Sequence, residues 1–257
     1  MQKEIGFREL VHSGKLVVGT FVALPAPEVV EITGQVGLDF VAIDDEHGWM
    51  NPETQSSLVV AARSVGMAAI VRLRDDDPKL IGRMLDMGAD GIVVPHVDTA
   101  EAARRAVQAA KFFPEGERGV SHRTRSAGYS VMDYEQYTAA ANARTCIGVL
   151  IESKEAVRNL DDILAVRGLD FVLVGHKDLS QSLGHPAQTE HPLVMDRIST
   201  ILRKTSEAGL TPAVGVSRVK QAKPFVELGA RMVFVSKDMG LLYRAYQDML
   251  AEARRLM

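Results

Sequence analysis

Four ionisable residues stand in a row at Asp44-Asp45-Glu46-His47, directly after the apolar run Phe40-Val41-Ala42-Ile43 and before Gly48. Three carboxylates and an imidazole cannot sit in a low-dielectric core, so the run predicts a buried strand that ends where the charges begin. Similar endings recur down the chain. Arg72 follows Ala69-Ile70-Val71, His96 follows Val93-Val94-Pro95, Glu152 follows Gly148-Val149-Leu150-Ile151, and His176-Lys177-Asp178 follows Phe171-Val172-Leu173-Val174-Gly175. If such strands run parallel, their polar ends converge on one rim. Carboxylates from adjacent strands, Glu152 and Asp178, can hold one hard divalent cation and leave positions for water and substrate. An arginine and a histidine nearby suit an oxygen-rich anionic substrate, with histidine as base and arginine as partner of a developing oxyanion.

Each residue alone has a structural rival. Glu152 precedes Ser153-Lys154-Glu155 and could cap a helix, Asp178 could be an N-cap, and Arg72 could pair at the surface near Arg74 and Asp75. For any one of them that reading is at least as good; for all of them at corresponding strand ends it is weaker. His96, His122, His185 and His191 read as loop histidines. Asp86, in a helical stretch before Met87-Gly88, reads on spacing alone as a solvated helix residue. Cys146, the single cysteine, lies in an apolar run and reads as a buried thiol; one cysteine excludes an internal disulfide framework and a cysteine-rich metal site.

The elements that must position these residues are eight short apolar segments, at 16–22, 40–43, 69–73, 91–95, 146–151, 171–175, 212–216 and 231–236, each followed by a helical pattern. Asn51-Pro52-Glu53 is a helix start: a cap residue, proline in the first turn, then an acid near the positive end of the dipole. Gly-Leu-Asp or Gly-Ala-Asp recurs before strands. Single helical stretches are expected at 154–165 and 219–228, a polar loop at 182–192, and a long irregular stretch over 112–133. Eight βα units in 257 residues predict an α/β fold of the (β/α)8 TIM-barrel type, one domain spanning residues 1–257. No Gly-rich dinucleotide or phosphate loop follows the first strand, which disfavours a doubly wound sheet.

The hydrophobic fraction of 46% and charged fraction of 25% are ordinary for a globular chain, and a net charge of -3 excludes electrostatic binding of nucleic acid or anionic lipid as the main function. Residues 1–6 lack the apolar core of a signal peptide, and no apolar run approaches membrane-spanning length, so a cytoplasmic protein is expected.

The motifs Asp44-Asp45-Glu46-His47, Val71-Arg72, Leu85-Asp86-Met87-Gly88, Val94-Pro95, Arg118-Gly119-Val120, Ile151-Glu152-Ser153 and Asp178-Leu179-Ser180, in this order, resemble the HpcH/HpaI family of metal-dependent class II 2-oxoacid aldolases. The resemblance runs from Gly19 to the last helix. It implies a phosphoenolpyruvate/pyruvate-type barrel and a lyase that reversibly cleaves a 4-hydroxy-2-oxoacid to pyruvate, or a related 2-oxoacid, and an aldehyde. Glu152 and Asp178 would bind Mg2+, Mn2+ or Co2+, and Asp44 and Glu46 would hold water bound to that metal. His47 would be the base, its basicity raised by Asp86, and Arg72 would stabilise the enolate or alkoxide. The backbone at Lys177 and Asp178 would meet the substrate carboxylate. The resemblance further implies a homo-oligomer, a trimer of dimers, whose last helix packs on a neighbouring subunit. No Schiff-base lysine is required.

The chain departs from the family pattern at two places beside the metal. His176 replaces the usual proline of Gly-Pro-x-Asp, and Leu150 replaces a substrate-contacting glutamine two residues before the metal-binding glutamate. These changes predict a retained metal and base but an altered substrate pocket. The Arg118 to Arg125 loop, with three arginines and His122, fits either closure over an acidic acceptor or a solvated surface. Three other readings stand beside the aldolase: an oxaloacetate-type decarboxylase, an acyl-CoA ester lyase on the same barrel, and a non-catalytic barrel that binds a small acid.

Overall fold

The computed structural model describes residues 6–256. Residues 1–5, in the stretch read above for a targeting signal, and Met257, the last residue of the expected domain, lie outside them. Eight parallel strands, β1 (Val17–Val22), β2 (Phe40–Asp44), β3 (Ala68–Arg72), β4 (Gly91–Val94), β5 (Cys146–Ile151), β6 (Phe171–Val174), β7 (Thr211–Val216) and β8 (Met232–Lys237), pair in chain order and close on one another through β1 and β8.

Strand periodicity sorts the side chains. In β2, Val41 and Ile43 face outward into the layer between sheet and helices, whereas Phe40 and Ala42 fill the barrel interior. Ile70, Val93, Cys146, Leu150, Phe171, Leu173, Met232 and Phe234 complete that interior, with Phe40 and Phe234 packed edge to face at 4.9 Å. Cys146 is buried here, and its surroundings hold the thiol well above its ordinary pKa, burial being the largest cause. The same period carried one step further aims Asp44, Arg72 and Glu152 from the strand ends over the interior.

The barrel is ringed by helices with readable starts. Asn51 caps α3 (Pro52–Ser64) through Thr54 N–H at 2.8 Å, Asp77 caps α4 (Pro78–Asp86) and Thr99 caps α5 (Ala100–Ala110). At the floor, α1 (Phe7–Val11) inserts Phe7 and Val11 under the interior. The remaining helices are α2 (Pro27–Val36), α6 (Tyr134–Arg144), α10 (Pro192–Glu207) and α12 (Asp238–Arg254) with the short ones described next.

Three local differences from the sequence pattern appear. The 154–165 stretch is two short helices, α7 (Lys154–Arg158) and α8 (Leu160–Leu164), broken at Asn159, whose side-chain amide donates to the Asp98 carbonyl at 2.8 Å. Between β6 and the polar loop, where the pattern assigned no element, His176 opens a short helix, α9 (His176–Ser182). The 219–228 stretch is a 3-10 turn at Val219–Ala222 followed by α11 (Lys223–Glu227), with Pro224 near the junction. Among the described residues, no helix is long and apolar enough to cross a membrane.

Candidate active site

The C-terminal ends of the strands enclose a cavity of about 340 Å³ whose lining includes Phe21, His47, Arg72, Leu150, Glu152, His176, Lys177, Asp178 and Lys237. A larger groove, about 720 Å³, lies outside the barrel at α8 and α10, where Asp161 and Lys204 are engaged with each other. The strand-end cavity is therefore the place for chemistry.

Asp44 is fully buried at the end of β2. Arg72 grips it with both arms of the fork, Nε to Oδ1 at 3.0 Å and Nη2 to Oδ2 at 2.8 Å. Lys237, at the end of β8, ion-pairs with Oδ2, and the His47 backbone N–H donates to Oδ1 at 3.2 Å. Burial pushes the Asp44 carboxyl up, but Arg72 and Lys237 together outweigh it and hold the pKa below the ordinary value. The other nitrogen of the fork, Arg72 Nη1, lies 3.1 Å from Glu46 Oε2, and its guanidinium stacks over Phe21 at 4.5 Å. Arg72 is thus a site residue, 12% exposed at its side chain, and not a surface partner of Asp75. The surface role falls to its neighbour Arg74, which clasps Asp45 at 2.6 and 2.8 Å; Gln55 also donates to Asp45. Asp45 is a structural residue.

Glu152 is buried and turned into the cavity. It does not cap the following helix, because Ser153 does so, accepting from the Ala156 N–H at 2.9 Å. Instead Glu152 Oε1 accepts from the His96 backbone N–H at 2.9 Å and faces His96 Nδ1 at 3.0 Å. Gly175 makes room for it: a Cβ there would meet the Glu152 Cβ at 2.6 Å and Oε2 at 2.8 Å. Burial, opposed by the His96 N–H and ring and reinforced by Glu46 and Asp178, pushes the Glu152 carboxyl up to about 7. Asp178 is in the first turn of α9, which is capped at Gly175, so Asp178 is not an N-cap. Beside it, burial and then Lys177 lower the His176 pKa, which favours a neutral ring.

His96 is the residue that reading by spacing missed. It is no ordinary loop histidine: its Nε2 lies 3.6 Å from Glu46 Oε1 while Nδ1 faces Glu152. Glu46, His96 and Glu152 each offer an atom within 4.8 Å of the others. Oxygen donors from two carboxylates beside an imidazole, one of the carboxyls pushed up to about 7 chiefly by burial, fit a divalent cation. Lys237 was also missed, although the strand-end rule applied to β8 would have collected it. His185 and His191 stack on each other at 3.7 Å, and His122 lies on the exposed loop; among the described contacts none joins the cavity.

His47 stands at the cavity mouth with its side chain 60% exposed and Nε2 4.0 Å from Glu46 Oε2. Asp86 is elsewhere. Helix α4 runs back against the strands, so its last residue lies near the opposite rim, where Asp86 Oδ1 accepts from Arg118 Nη2 at 2.5 Å. Within the chain Asp86 does not touch His47. Arg118 is buried and also stacks over Phe112 at 4.6 Å, and Arg125 reaches Ser56 of α3, so these two loop arginines are spent on packing. Leu150 packs in the interior with Leu173 and Phe234 and presents an apolar wall to the cavity.

The family model described as HpcH/HpaI aldolase/citrate lyase matches residues 17–245. The chain belongs to the HpcH/HpaI aldolase/citrate lyase family. Membership makes it a carbon–carbon lyase. It is 33% identical over 247 residues to a hydroxypyruvate/pyruvate aldolase of Roseobacter denitrificans, covering 96% of each chain. It is 34% identical over 250 residues to a 4-hydroxy-2-oxo-heptane-1,7-dioate aldolase of Shigella flexneri, covering 96% of this chain and 92% of that one. The crystal structure of an HpcH/HpaI aldolase from Desulfitobacterium hafniense superposes with a TM-score of 0.92 at 31% identity, over 98% of both chains. The HpcH/HpaI barrel thus carries, in this chain, the carboxylate, arginine and histidine set just described.

Proposed function

We propose that the chain catalyses reversible, divalent-metal-dependent retro-aldol cleavage of a 4-hydroxy-2-oxoacid to pyruvate, or a related 2-oxoacid, and an aldehyde. One observation carries the reading: Glu152 and Asp178 line one strand-end cavity together with Arg72 and His47, and Glu46 and His96 lie beside Glu152. Glu152 and Asp178 would hold Mg2+, Mn2+ or Co2+, and Asp44 and Glu46 would order water beside it. A bound cation supplies Lewis-acid withdrawal of charge from the 2-oxo group and carboxylate of the substrate.

The chain's own residues do the rest. His47 takes the proton of the substrate's 4-hydroxyl, the C3–C4 bond breaks, and the electron pair passes into the enolate of the 2-oxoacid while the aldehyde leaves. Arg72, fixed by its bidentate grip on Asp44, keeps a guanidinium aimed at the developing negative oxygen. Protonation of C3 completes pyruvate. Backbone N–H groups at Lys177 and Asp178, in the first turn of α9, orient the carboxylate. Leu150 gives the pocket an apolar wall where an amide would bind, so the accepted 2-oxoacid differs at that side.

Residues 1–257 form one barrel domain in this reading, and it acts in the cytoplasm as a homo-oligomer, a trimer of dimers. The support for association is the outer face of α12, where Leu242, Tyr243, Tyr246, Met249 and Leu250 are exposed together. Asp86 lies near the opposite rim from His47, so any support it gives to that base crosses from one copy of the chain to another. The testing experiment is exchange of the pyruvate methyl protons in deuterated water, followed by NMR with Mg2+, Mn2+ or Co2+ and with chelator. Metal-dependent exchange is expected. Absence of exchange and of pyruvate release with every metal would sink the proposal.

A further inference from the structure

Two cavities meet at the ends of β6 and β7. The strand-end cavity shares His176, Lys177, Asp178, Gly215, Val216 and Ser217 with a groove of about 800 Å³ that is bordered by α9 and α11. We infer that this groove is the acceptor half of the active site: the aldehyde carries a polyhydroxylated chain, which leaves the strand-end cavity across Gly215, passes His176 and lies in the groove. This rests on the metal-dependent aldol reading above and names the class of aldehyde that it left open.

The opening is made at one position. Alternation along β7 turns Ala213 into the barrel interior and Val214 and Val216 outward, so residue 215 faces the cavity. Three other strand glycines are required by packing: a Cβ on Gly19, Gly91 or Gly148 would collide with a neighbour at 2.4, 2.4 or 2.1 Å. A Cβ on Gly215 would meet nothing within 4 Å. No contact in the fold calls for a glycine there; its bare backbone leaves space for a ligand to pass close to the strand. His176 stands beside the same passage, where the family pattern has proline. It is the first residue of α9, a position proline fills well, so the turn does not require a histidine. Among the described contacts its ring has no hydrogen-bond partner, and neither have the side chains of Gln181 and Thr189 in the groove beyond.

The groove's chemistry selects the chain that fits. Gln181, Thr189 and Gln221 are neutral; Gln221 spends Oε1 on the Arg218 N–H at 2.9 Å and keeps its amide donors. Lys220 and Glu190 balance each other in charge, and Phe225 adds apolar surface. Amides and a hydroxyl beside apolar carbon match a chain whose carbons bear hydroxyl groups, each both donor and acceptor. An alkyl chain would cover those amides without satisfying them.

The test is aldol addition of pyruvate, with the full chain and Mn2+, to D-erythrose, to butanal and to glycolaldehyde, followed by NMR. Butanal has the carbon number of erythrose without its hydroxyls, and glycolaldehyde is too short to reach the groove. Each variant is normalised to its own exchange of pyruvate methyl protons, which needs no aldehyde. In the wild type, kcat/KM for D-erythrose is expected to exceed that for butanal by about tenfold or more. The erythrose-to-glycolaldehyde ratio is expected to fall about tenfold in Gly215→Leu, which fills the opening. It is expected to fall about threefold in Gln181→Leu and in His176→Pro. Where Gly215→Leu shows no exchange, Gln181→Leu on the exposed side of α9 decides. A wild type without preference for D-erythrose over butanal, or a ratio unchanged in Gly215→Leu and Gln181→Leu, overturns the inference, while continued methyl exchange keeps the lyase reading. Absence of exchange and of pyruvate release with every metal overturns both.

Discussion

The two rims of the barrel use the same residue type for opposite purposes. At the rim where strands begin, Asp39, Asp90 and Asp170 follow Gly37, Gly88 and Gly168, which take left-handed φ values of 92°, 99° and 96° and end the preceding segments. Each aspartate turns back onto a neighbouring strand and accepts its backbone N–H: Val18 at 2.8 Å, Ala69 at 2.9 Å and Ile147 at 2.8 Å. Asp170 also holds Arg8 and His12 of the floor at 2.7 and 2.8 Å. At the rim where strands end, Asp44, Glu46 and Glu152 face side chains and an open cavity. A carboxylate satisfied by backbone stabilises the sheet; one satisfied by arginine, lysine and imidazole is available to a ligand. The end of the strand, not the residue type, decides which.

Perturbing each rim should therefore move different quantities. The largest effect belongs to Glu152→Gln. Losing a charged oxygen donor should cost on the order of 10³-fold in kcat, the scale of several kcal/mol of transition-state stabilisation. The melting temperature without metal should be unchanged or higher, because a buried carboxylate without its counter-ion is removed. A large loss of stability would mean that the rim is structural after all. His47→Ala should lower kcat about 10²-fold, the lower end for loss of a general base, with Co2+ affinity by calorimetry unchanged; equal loss of both would remove His47 from the base role.

Asp170→Ala tests the other rim. It strands the Ile147 N–H and frees Arg8, so denaturant unfolding should show a loss of about 2–3 kcal/mol. The kcat/KM of the folded fraction should not move. The smallest effect is in pH dependence. The Asp90 pKa is raised, burial outweighing the Ala69 N–H. Its protonated form is favoured on folding, so this contribution to stability is present at low pH and declines as pH rises through the unfolded and then the folded pKa. The Asp44 pKa is lowered, so its contribution is present above the unfolded value and lost as pH falls through the folded one. Asp90→Asn should flatten the first slope and Asp44→Asn the second in pH-resolved unfolding curves; the same slope change from both would erase the contrast between rims.

Much of this was legible in the residues. Apolar runs of strand length, each ending in charge and followed by a helical pattern, determined eight parallel strands, because only a sheet buried on both faces accepts such runs. The break from Ile43 into Asp44 to His47, and the charges after Ile151 and Val71, determined which strand ends carry polar groups. Tertiary structure decided which of them meet. Lys237 reaches Asp44 only because β8 closes beside β1, and His96 reaches Glu152 and Glu46 only because β4 lies between their neighbourhoods and its chain turns left-handed after Pro95. Asp86 was placed by the return direction of α4, which no local pattern in Leu85-Asp86-Met87-Gly88 encodes. Periodicity is a property of a few consecutive residues, whereas a site is made by closure of the whole sheet, and closure brings together side chains that local sequence never joins.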